Sequence, residues 1–427
     1  MRDTVAPKFP SFIEFVGLIA CLMAISSLSI DNLLPAFGPI TQSFHITPEN
    51  RVQLVLYTYM VAMAGMMIVY GPIADHIGRR RAVLGGLAIY FAGSLLATSA
   101  PSFEVLLIAR AIQGIGAAST RVLTLAIVRD RYSGREMARV MSFAMMIFIM
   151  VPMIAPAIGS AFLHLGSWHT IFASMLGSAL IAIVWFALRM PETLHAQFRR
   201  PMSLATSYQG FKQTVTTRVS IGYATAQGLM FACVMGYVGS ADQIFESDVY
   251  GLGRKFPMVF AGIAIGQGFA AFINSRLVRR LGTRRISHSA ICVFIALAAL
   301  QLVIALVDHG HPPLLVFAPL LTLGFLSFGL VVPNFNAMAM EPLGAIAGTA
   351  SSFMGFYMTL IGAGVGFLIG QSFNGTVIPL LIGFLSVSVL SLLIVLWTER
   401  GQLFTPRHSD PPLVAPHAAM ERVPSAE

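Results

Sequence analysis

Charged side chains are scarce in this sequence of 427 residues: Asp, Glu, Lys and Arg make up only 11% of it, and it contains just three lysines. A soluble domain carries about 25% charged residues. Hydrophobic residues account for 56% of the chain, and its mean hydropathy is +0.78. This composition excludes an ordinary soluble fold and predicts an all-α membrane protein.

Cysteines and nucleotide-binding motifs are also scarce. Cys21, Cys233 and Cys292 stand alone within apolar runs, and no pair has metal or redox spacing. No Gly-x-x-x-x-Gly-Lys-Ser/Thr sequence occurs, which argues against an ATP-driven pump. We therefore expect a protein that is not an enzyme and that has no metal and no cofactor.

Long apolar runs are what the chain has in abundance. About twelve are long enough for a helix to cross a bilayer core of about 30 Å. They begin near residues 12, 52, 82, 103, 137, 167, 220, 257, 286, 313, 344 and 379. The first run continues through Ser26, Ser27 and Asp31 without a small-residue cleavage site, so we do not expect a cleaved signal peptide.

The formal charge of +9 is distributed unevenly along the chain. Arginines cluster in every second loop, for example at residues 79–81 and 129–139, whereas the other loops hold only Arg51, Arg254 and Lys255. Cytoplasmic loops of membrane proteins carry such an excess of arginine and lysine. The bias predicts that both termini are cytoplasmic, and it accounts for the basic charge by topology rather than by nucleic-acid binding.

A polar, basic stretch divides the chain into two halves. We predict an N-terminal six-helix bundle at 1–189, a cytoplasmic linker at 190–218, a C-terminal six-helix bundle at 219–399 and a disordered cytoplasmic tail at 400–427. The second half repeats a loop of the first, because Gly282-Thr283-Arg284-Arg285 corresponds to Gly78-Arg79-Arg80-Arg81. Two six-span halves related by an axis along the membrane normal are typical of secondary transporters.

Three charged residues lie inside apolar runs: Asp31, Arg110 and Arg121. Such residues normally face a partner or a water-filled cavity. The two arginines are separated by 11 positions, which places them about 20° apart on one helix face. Asp31 is the only carboxylate well inside an apolar run, at a depth similar to that of Arg110, and we expect the two to interact directly or through Gln113. The alternatives are a helix-packing role for Asp31 and a structural or snorkelling role for Arg121.

Other polar residues in the apolar runs are candidates for a substrate cavity. The alternative for each is a hydrogen bond that cross-links two helices. They are Asn32, Gln113, Gln227, Asn334 and Tyr357, together with Arg121.

Three motifs resemble one transporter family. The loop containing Gly71, Asp75, Gly78, Arg79 and Arg80 resembles the signature loop Gly-x-x-x-Asp-Arg-x-Gly-Arg-Arg of the major facilitator superfamily, with histidine in place of the first arginine. Leu107-x-x-Arg110-x-x-Gln113-Gly114-x-Gly116 resembles the span-four signature of the same superfamily, and Asp31-Asn32-Leu33-Leu34-Pro35 resembles a segment of bicyclomycin- and chloramphenicol-type efflux carriers.

The resemblance implies a fold of two pseudo-symmetric six-helix bundles and roles for individual residues. It implies a role in proton coupling for Arg110, and from its isolation at a similar depth we expect Asp31 to carry the coupling proton. It also implies a cytoplasmic gate at the signature loop, in which we expect Asp75 to pair with Arg129 or Arg131. Span five departs from the drug-antiporter pattern, because only Pro156 and Gly159 remain of it; both are expected at a helix contact.

These features together predict a proton-coupled exporter of small amphipathic compounds in a bacterial inner membrane. Its expected partners are a small-molecule substrate, protons and the lipid bilayer, with no nucleic acid, and we expect a monomer driven by the proton gradient. A metabolite importer, working as a proton symporter or a facilitator, is the alternative within transport. A membrane sensor without transport activity is the alternative from another class.

Overall fold

The computed structural model describes residues 9–195, 197, 199 and 204–405, and this part of the chain contains helices and no strand. Eleven of its helices are long and apolar enough to cross a membrane. A further long helix, Gly134–Leu165, contains a shorter apolar stretch, Met150–Leu165. The prediction of an all-α membrane protein with about twelve spans is confirmed.

The long helices are numbered here in chain order. The first half contains α1 (Phe12–Asp31), α2 (Leu54–Ile77), α3 (Arg79–Thr98), α4 (Phe103–Arg131), α5 (Gly134–Leu165) and α6 (His169–Arg189). The second half contains α7 (Arg218–Ala241), α8 (Phe256–Leu281), α9 (Thr283–Val307), α10 (Leu314–Met340), α11 (Ala347–Gln371) and α12 (Ile378–Thr398). A short helix, Phe37–Phe44, follows α1, and a linker helix, Leu204–Thr216, lies between the halves.

The same tight turn occurs once in each half. Gly78 ends α2 and precedes α3 with a φ of 99°, and Gly282 ends α8 and precedes α9 with a φ of 80°. Both values lie in the region that glycine enters without steric cost. The arginines that follow each glycine therefore fall at the same end of the molecule, called here the arginine-rich end.

The two halves meet along two pairs of helices, α2 with α11 and α5 with α8. At the end opposite the arginine-rich one, polar side chains join them. Asn50 Nδ2 donates to the carbonyl oxygen of Gln371 (3.1 Å), and Gln53 Nε2 donates to Gln243 Oε1 (3.0 Å). Gln243 Nε2 in turn donates to Asn50 Oδ1 (2.8 Å). Because the network crosses between the halves, it holds this end closed.

Tyr57 extends this closure one turn further into the bundle. Its hydroxyl lies 2.9 Å from the carbonyl oxygens of both Met235 on α7 and Gly366 on α11. At the arginine-rich end, by contrast, the ion pairs formed by Arg79 and by Arg284 each stay within one half. The polar closure between the halves described here is thus built at the opposite end.

The predicted linker contains a helix, and the start of the tail that was predicted to be disordered contacts the bundle. The linker helix packs against α11, where the rings of Phe211 and Phe353 make an edge-to-face contact with centroids 5.0 Å apart. After α12, the backbone N–H of Phe404 donates to His288 Nδ1 (3.1 Å). The first part of the predicted disordered tail is therefore bound to the bundle, and its remainder from residue 406 lies outside the described residues.

Small residues allow α3 and α4 to pack backbone against backbone. Gly116 on α4 faces Tyr90 and Gly86 on α3, and a Cβ at Gly116 would overlap the Tyr90 backbone nitrogen. Neither the nitrogen nor the nearby Gly86 carbonyl can rotate away. The close spacing of α3 and α4 therefore requires a residue without a side chain at position 116.

We predict that Gly116→Ala destabilises the folded protein by about 1–3 kcal/mol, the range for overpacking a close contact. Thermal unfolding of the detergent-purified protein measures the effect. Gly85→Ala on α3 is the matched control, because a Cβ added at Gly85 would meet no atom within 4 Å. Equal unfolding temperatures for the two variants would show that the α3–α4 contact is not under this constraint.

Candidate functional site

Arg110 is completely buried near the middle of the first half. Its Nε donates to the carbonyl oxygen of Val55 on α2 (2.9 Å), and its Nη2 donates to that of Ser29 on α1 (2.8 Å). Its Nη1 donates to Gln113 Oε1 (2.8 Å), and the guanidinium lies 4.4 Å from the centre of the Tyr59 ring. Neutral dipoles and an aromatic face thus replace the water that the charge has lost.

The expected contact between Arg110 and Asp31 is not formed. The Asp31 carboxylate accepts a hydrogen bond from Ser27 Oγ (3.2 Å), and no ion pair joins it to Arg110 within the described residues. Gln113 does not link Arg110 to Asp31 either, because its Nε2 donates to Ser94 Oγ (2.7 Å). The prediction of a direct pair was wrong because backbone carbonyls of α1 and α2 take the donors of the guanidinium.

Across from Asp31 the second half presents Tyr237, which was not predicted from the sequence. Tyr237 is buried on α7, the second-half helix that contacts residues 34–36 directly after the Asp31 segment. Its hydroxyl has no hydrogen-bond partner within the described residues. Its ring packs on Phe260 and Phe325, with centroids 5.6 and 4.9 Å away. In the sequence, Tyr237 is one tyrosine within an apolar run, and nothing there distinguishes a tyrosine at a functional site from one that only packs between helices.

A second buried acidic group was also missed. Asp242 is buried at the start of a π-helical turn, Asp242–Ser247, and Glu246 lies four residues later in the same turn. Asp31 is therefore not the only carboxylate inside the bundle. The signal available in the sequence was the four-residue spacing of two acids directly after an apolar run. Gln243 from the closed end lies in the same turn.

The predicted cavity residues separate into two groups. Asn32, Gln113 and Gln227 are buried, and Arg121 is partly exposed and close to Tyr59. By contrast, Asn334 and Tyr357 join helices of the second half. Asn334 Nδ2 donates to Asn274 Oδ1 (2.7 Å), and the Tyr357 hydroxyl lies 3.1 Å from Thr225 Oγ1. These last two contacts are the helix cross-links that were the alternative for them.

The end of α1 packs closely against α5. A Cβ at Gly159 would overlap the backbone carbonyl of Asn32, so a side chain at 159 would push the two helices apart. Pro156 lies inside α5 one turn earlier. The Asn32 amide meanwhile donates to Ser174 Oγ on α6 (3.4 Å). The two residues retained from the span-five pattern thus lie in the part of α5 that faces the Asp31 segment.

At the arginine-rich end, Asp75 pairs with Arg79 and not with Arg129 or Arg131. The distance from Arg79 Nη1 to Asp75 Oδ1 is 2.6 Å, and that from Arg79 Nε to Asp130 Oδ2 is 3.2 Å. Arg79 is the first residue of α3, and the turn at Gly78 brings its side chain back to Asp75 near the end of α2. Arg131 instead stacks over the Phe9 ring. Arg79 thus bridges α2 and α4, which is a different arrangement from the predicted one.

Glu192 makes further contacts at the turn between α2 and α3. Its carboxylate accepts from the backbone N–H groups of Arg79 (2.8 Å) and Arg80 (3.2 Å) at the start of α3, where an anion is stabilised. The Arg80 side chain donates to the carbonyl oxygens of Met190 (2.8 Å) and Ala187 (2.6 Å) at the end of α6. The start of α3 and the end of α6 are therefore fastened together beside Gly78. Gly71, one turn before Asp75, faces Ser352 on α11.

The second half uses its arginine differently. Arg284 Nε donates to Glu399 Oε1 (3.0 Å), which also accepts from the Tyr223 hydroxyl (2.7 Å). His288 Nε2 lies 3.1 Å from that hydroxyl, and Arg284 Nη2 is 3.5 Å from Glu341. This cluster is largely buried. In the described part of the chain, no group of three or more His, Cys, Asp or Glu side chains could hold a metal ion.

The family model described as Major Facilitator Superfamily matches residues 19–367. The chain belongs to the major facilitator superfamily. It is 30% identical over 367 residues to the uncharacterised MFS-type transporter YdgK of Bacillus subtilis strain 168, covering 85% of this chain and 90% of that protein. It is 28% identical over 386 residues to a bicyclomycin resistance protein homolog of Haemophilus influenzae, covering 89% and 94%.

The fold is shared with a solved transporter. The crystal structure of the human organic anion transporter MFSD10 (TETRAN) superposes with a TM-score of 0.65 at 16% identity, over 91% of this chain and 100% of that one. The recognised family is thereby confirmed, and this chain is a multi-pass membrane transporter rather than an enzyme. As a transporter it handles small-molecule substrates within a lipid bilayer.

We predict that Arg110→Lys destabilises the protein even though it keeps the positive charge. A lysine cannot donate in the planar geometry that reaches three acceptors, so buried carbonyl groups are left unsatisfied at about 1–3 kcal/mol each. Thermal unfolding in detergent measures the loss. Arg51→Lys, at an exposed position, is the matched control. If Arg110→Lys unfolds at the temperature of the parent, a positive charge at this position is enough for stability and the three hydrogen bonds are not needed.

Proposed function

We propose that this transporter exports small amphipathic compounds from a bacterial cytoplasm in exchange for protons. The observation that carries the proposal is the position of Asp31, a buried carboxylate at the end of α1, next to residues 34–36, which contact α7 of the other half. When the halves rock apart, the surroundings of Asp31 change from protein to water. A carboxylate binds protons with different affinity in those two environments, which couples protonation to the conformation.

The comparison with relatives supports export. The protein of Haemophilus influenzae is named as a homolog of a bicyclomycin resistance protein, and this chain covers 94% of it. Export of a compound is the way in which a membrane transporter can give resistance to it. The arginine-rich end is assigned to the cytoplasm of a bacterial inner membrane by its excess of arginine. The polar network of Asn50, Gln53 and Gln243 then closes the outer side.

Asp31→Asn is expected to lower proton-driven transport at least tenfold, because an amide keeps the shape of the carboxyl group but cannot carry the proton. Everted membrane vesicles with and without a pH gradient, tested over a compound panel, provide the assay. Exchange of labelled for unlabelled compound at equal pH should persist. Glu104→Gln is the control, since it removes an exposed acid at the start of α4.

The same assay separates the alternatives. Accumulation in everted vesicles that are acidic inside indicates export by antiport, and gradient-driven loss from preloaded vesicles indicates import. Binding without flux indicates a sensor. If Asp31→Asn shows the pH-driven flux of the parent at equal abundance, the carboxylate does not carry the coupling proton.

We further infer that the Arg79 bridge holds the cytoplasmic ends of α2 and α4 together, so that the first half moves as one body during transport. The side chain of Asp75 is 42% exposed and that of Asp130 is 20% exposed, and exposed ion pairs contribute roughly 0.2–1 kcal/mol each. A contribution of this size shifts a two-state equilibrium by at most about fivefold. Loss of one pair should therefore weaken transport without abolishing it.

Asp75→Asn and Asp130→Asn should each lower transport by about two- to fivefold while substrate binding is kept, because each removes one anion from Arg79. Arg129→Gln, which removes an exposed charge next to Asp130, should match the parent. An equal loss in Arg129→Gln would favour the pairing that the sequence predicts for Asp75.

A further inference from the structure

A basic cavity lies at the arginine-rich end, on the outside of the first half. It has a volume of about 360 Å³ and lies between the start of α3 and the end of α6. Four arginines and one glutamate line it: Arg80, Arg81, Arg189, Arg199 and Glu192. These five side chains carry a formal charge of +3, four positive charges less one negative, and the pairing of Arg189 with Glu14 leaves +2. The cavity therefore complements an anion.

The glutamate in this cavity does not neutralise the arginines. Its Oε1 accepts from the backbone N–H groups of Arg79 (2.8 Å) and Leu194 (3.1 Å), and its Oε2 accepts from that of Arg80 (3.2 Å). Its negative charge thus lies against the backbone N–H groups at the start of α3. Exposed Arg81 and Arg199 form no ion pair within the described residues. The positive charge of these two side chains is available at the opening.

An apolar surface continues from the cavity along α6. Leu188 lines the cavity and is 77% exposed, and Val184 and Leu180 follow at four-residue intervals, 47% and 51% exposed. Residues at this spacing lie above one another on one helix face. The stripe belongs to a membrane-spanning helix, so it faces the hydrocarbon region. Basic cavity and apolar stripe thus form one continuous amphipathic surface.

We propose that this surface binds an anionic phospholipid, with its phosphate at Arg81 and Arg199 and one acyl chain along Leu188, Val184 and Leu180. Arginine binds phosphate oxygens with paired hydrogen bonds, and basic pockets beside membrane helices on the cytoplasmic side suit anionic headgroups. A soluble phosphate would use the cavity but not the stripe. The proposal does not depend on the transport reaction, so either can fail without the other.

The test is a titration of the full-length protein in detergent with phosphatidylglycerol, in which native mass spectrometry measures the bound lipid. Arg81→Gln/Arg199→Gln should weaken binding about thirtyfold, since each basic residue near an anionic headgroup contributes roughly fivefold. Arg276→Gln/Arg280→Gln is the matched control. It removes the same charge from exposed positions at the same end of the other half, and it should bind like the parent. Equal weakening in both double variants would overturn the proposal, because the attraction would then be general.

Two further ligands identify the source of the phosphate. Phosphatidylcholine has the same phosphate without net charge, and glycerol 3-phosphate has the phosphate without acyl chains. Both should bind at least tenfold more weakly than phosphatidylglycerol. Equal binding of phosphatidylcholine would overturn the role of charge, and equal binding of glycerol 3-phosphate would identify a soluble phosphate site. Leu188→Asn should weaken phosphatidylglycerol binding and leave glycerol 3-phosphate binding unchanged; the opposite result would exclude the acyl-chain stripe.

Discussion

Burial of the Arg110 guanidinium is the constraint on which the first half depends. A charge in the middle of a membrane bundle is expensive unless its donors are satisfied. Here the acceptors are backbone carbonyls of α1 and α2, joined by Gln113 on α4 itself. Carbonyls inside a helix cannot move independently of it. Satisfying one side chain therefore fixes the relative depth of three helices, and this places Asp31 at the boundary between the halves.

Hydropathy and arginine placement were enough to predict the helices and the two-half organisation. They were not enough to predict which polar side chains bind each other. That depends on how each helix is rotated about its axis, and the sequence of a mostly apolar helix does not determine this rotation. Arg110 therefore bonds to the Ser29 carbonyl and not to the carboxylate two residues later. Tyr237 and Asp242 were missed for the same reason, since burial across the interface is a property of the assembled bundle.

The two halves repeat a turn but not its electrostatics. In the first half, Arg79 bridges acids that remain 42% and 20% exposed. In the second half, Arg284 binds Glu399, which is only 3% exposed and also accepts from Tyr223. Exposed pairs are weak, whereas breaking a buried pair costs several kcal/mol. The repeated motif thus holds a weak, partly exposed contact in one half and a strong, buried one in the other.

The hydrogen bond from the Phe404 backbone to His288 has a practical consequence for handling the protein. His288 Nδ1 accepts this bond while its Nε2 faces the Tyr223 hydroxyl, so the imidazole is held at both nitrogens. Shortening the chain before residue 404 would leave one of those nitrogens unpaired inside the bundle. An affinity tag or a fluorescent fusion at the carboxyl terminus therefore belongs after residue 405, so that the Phe404 N–H keeps its place on His288.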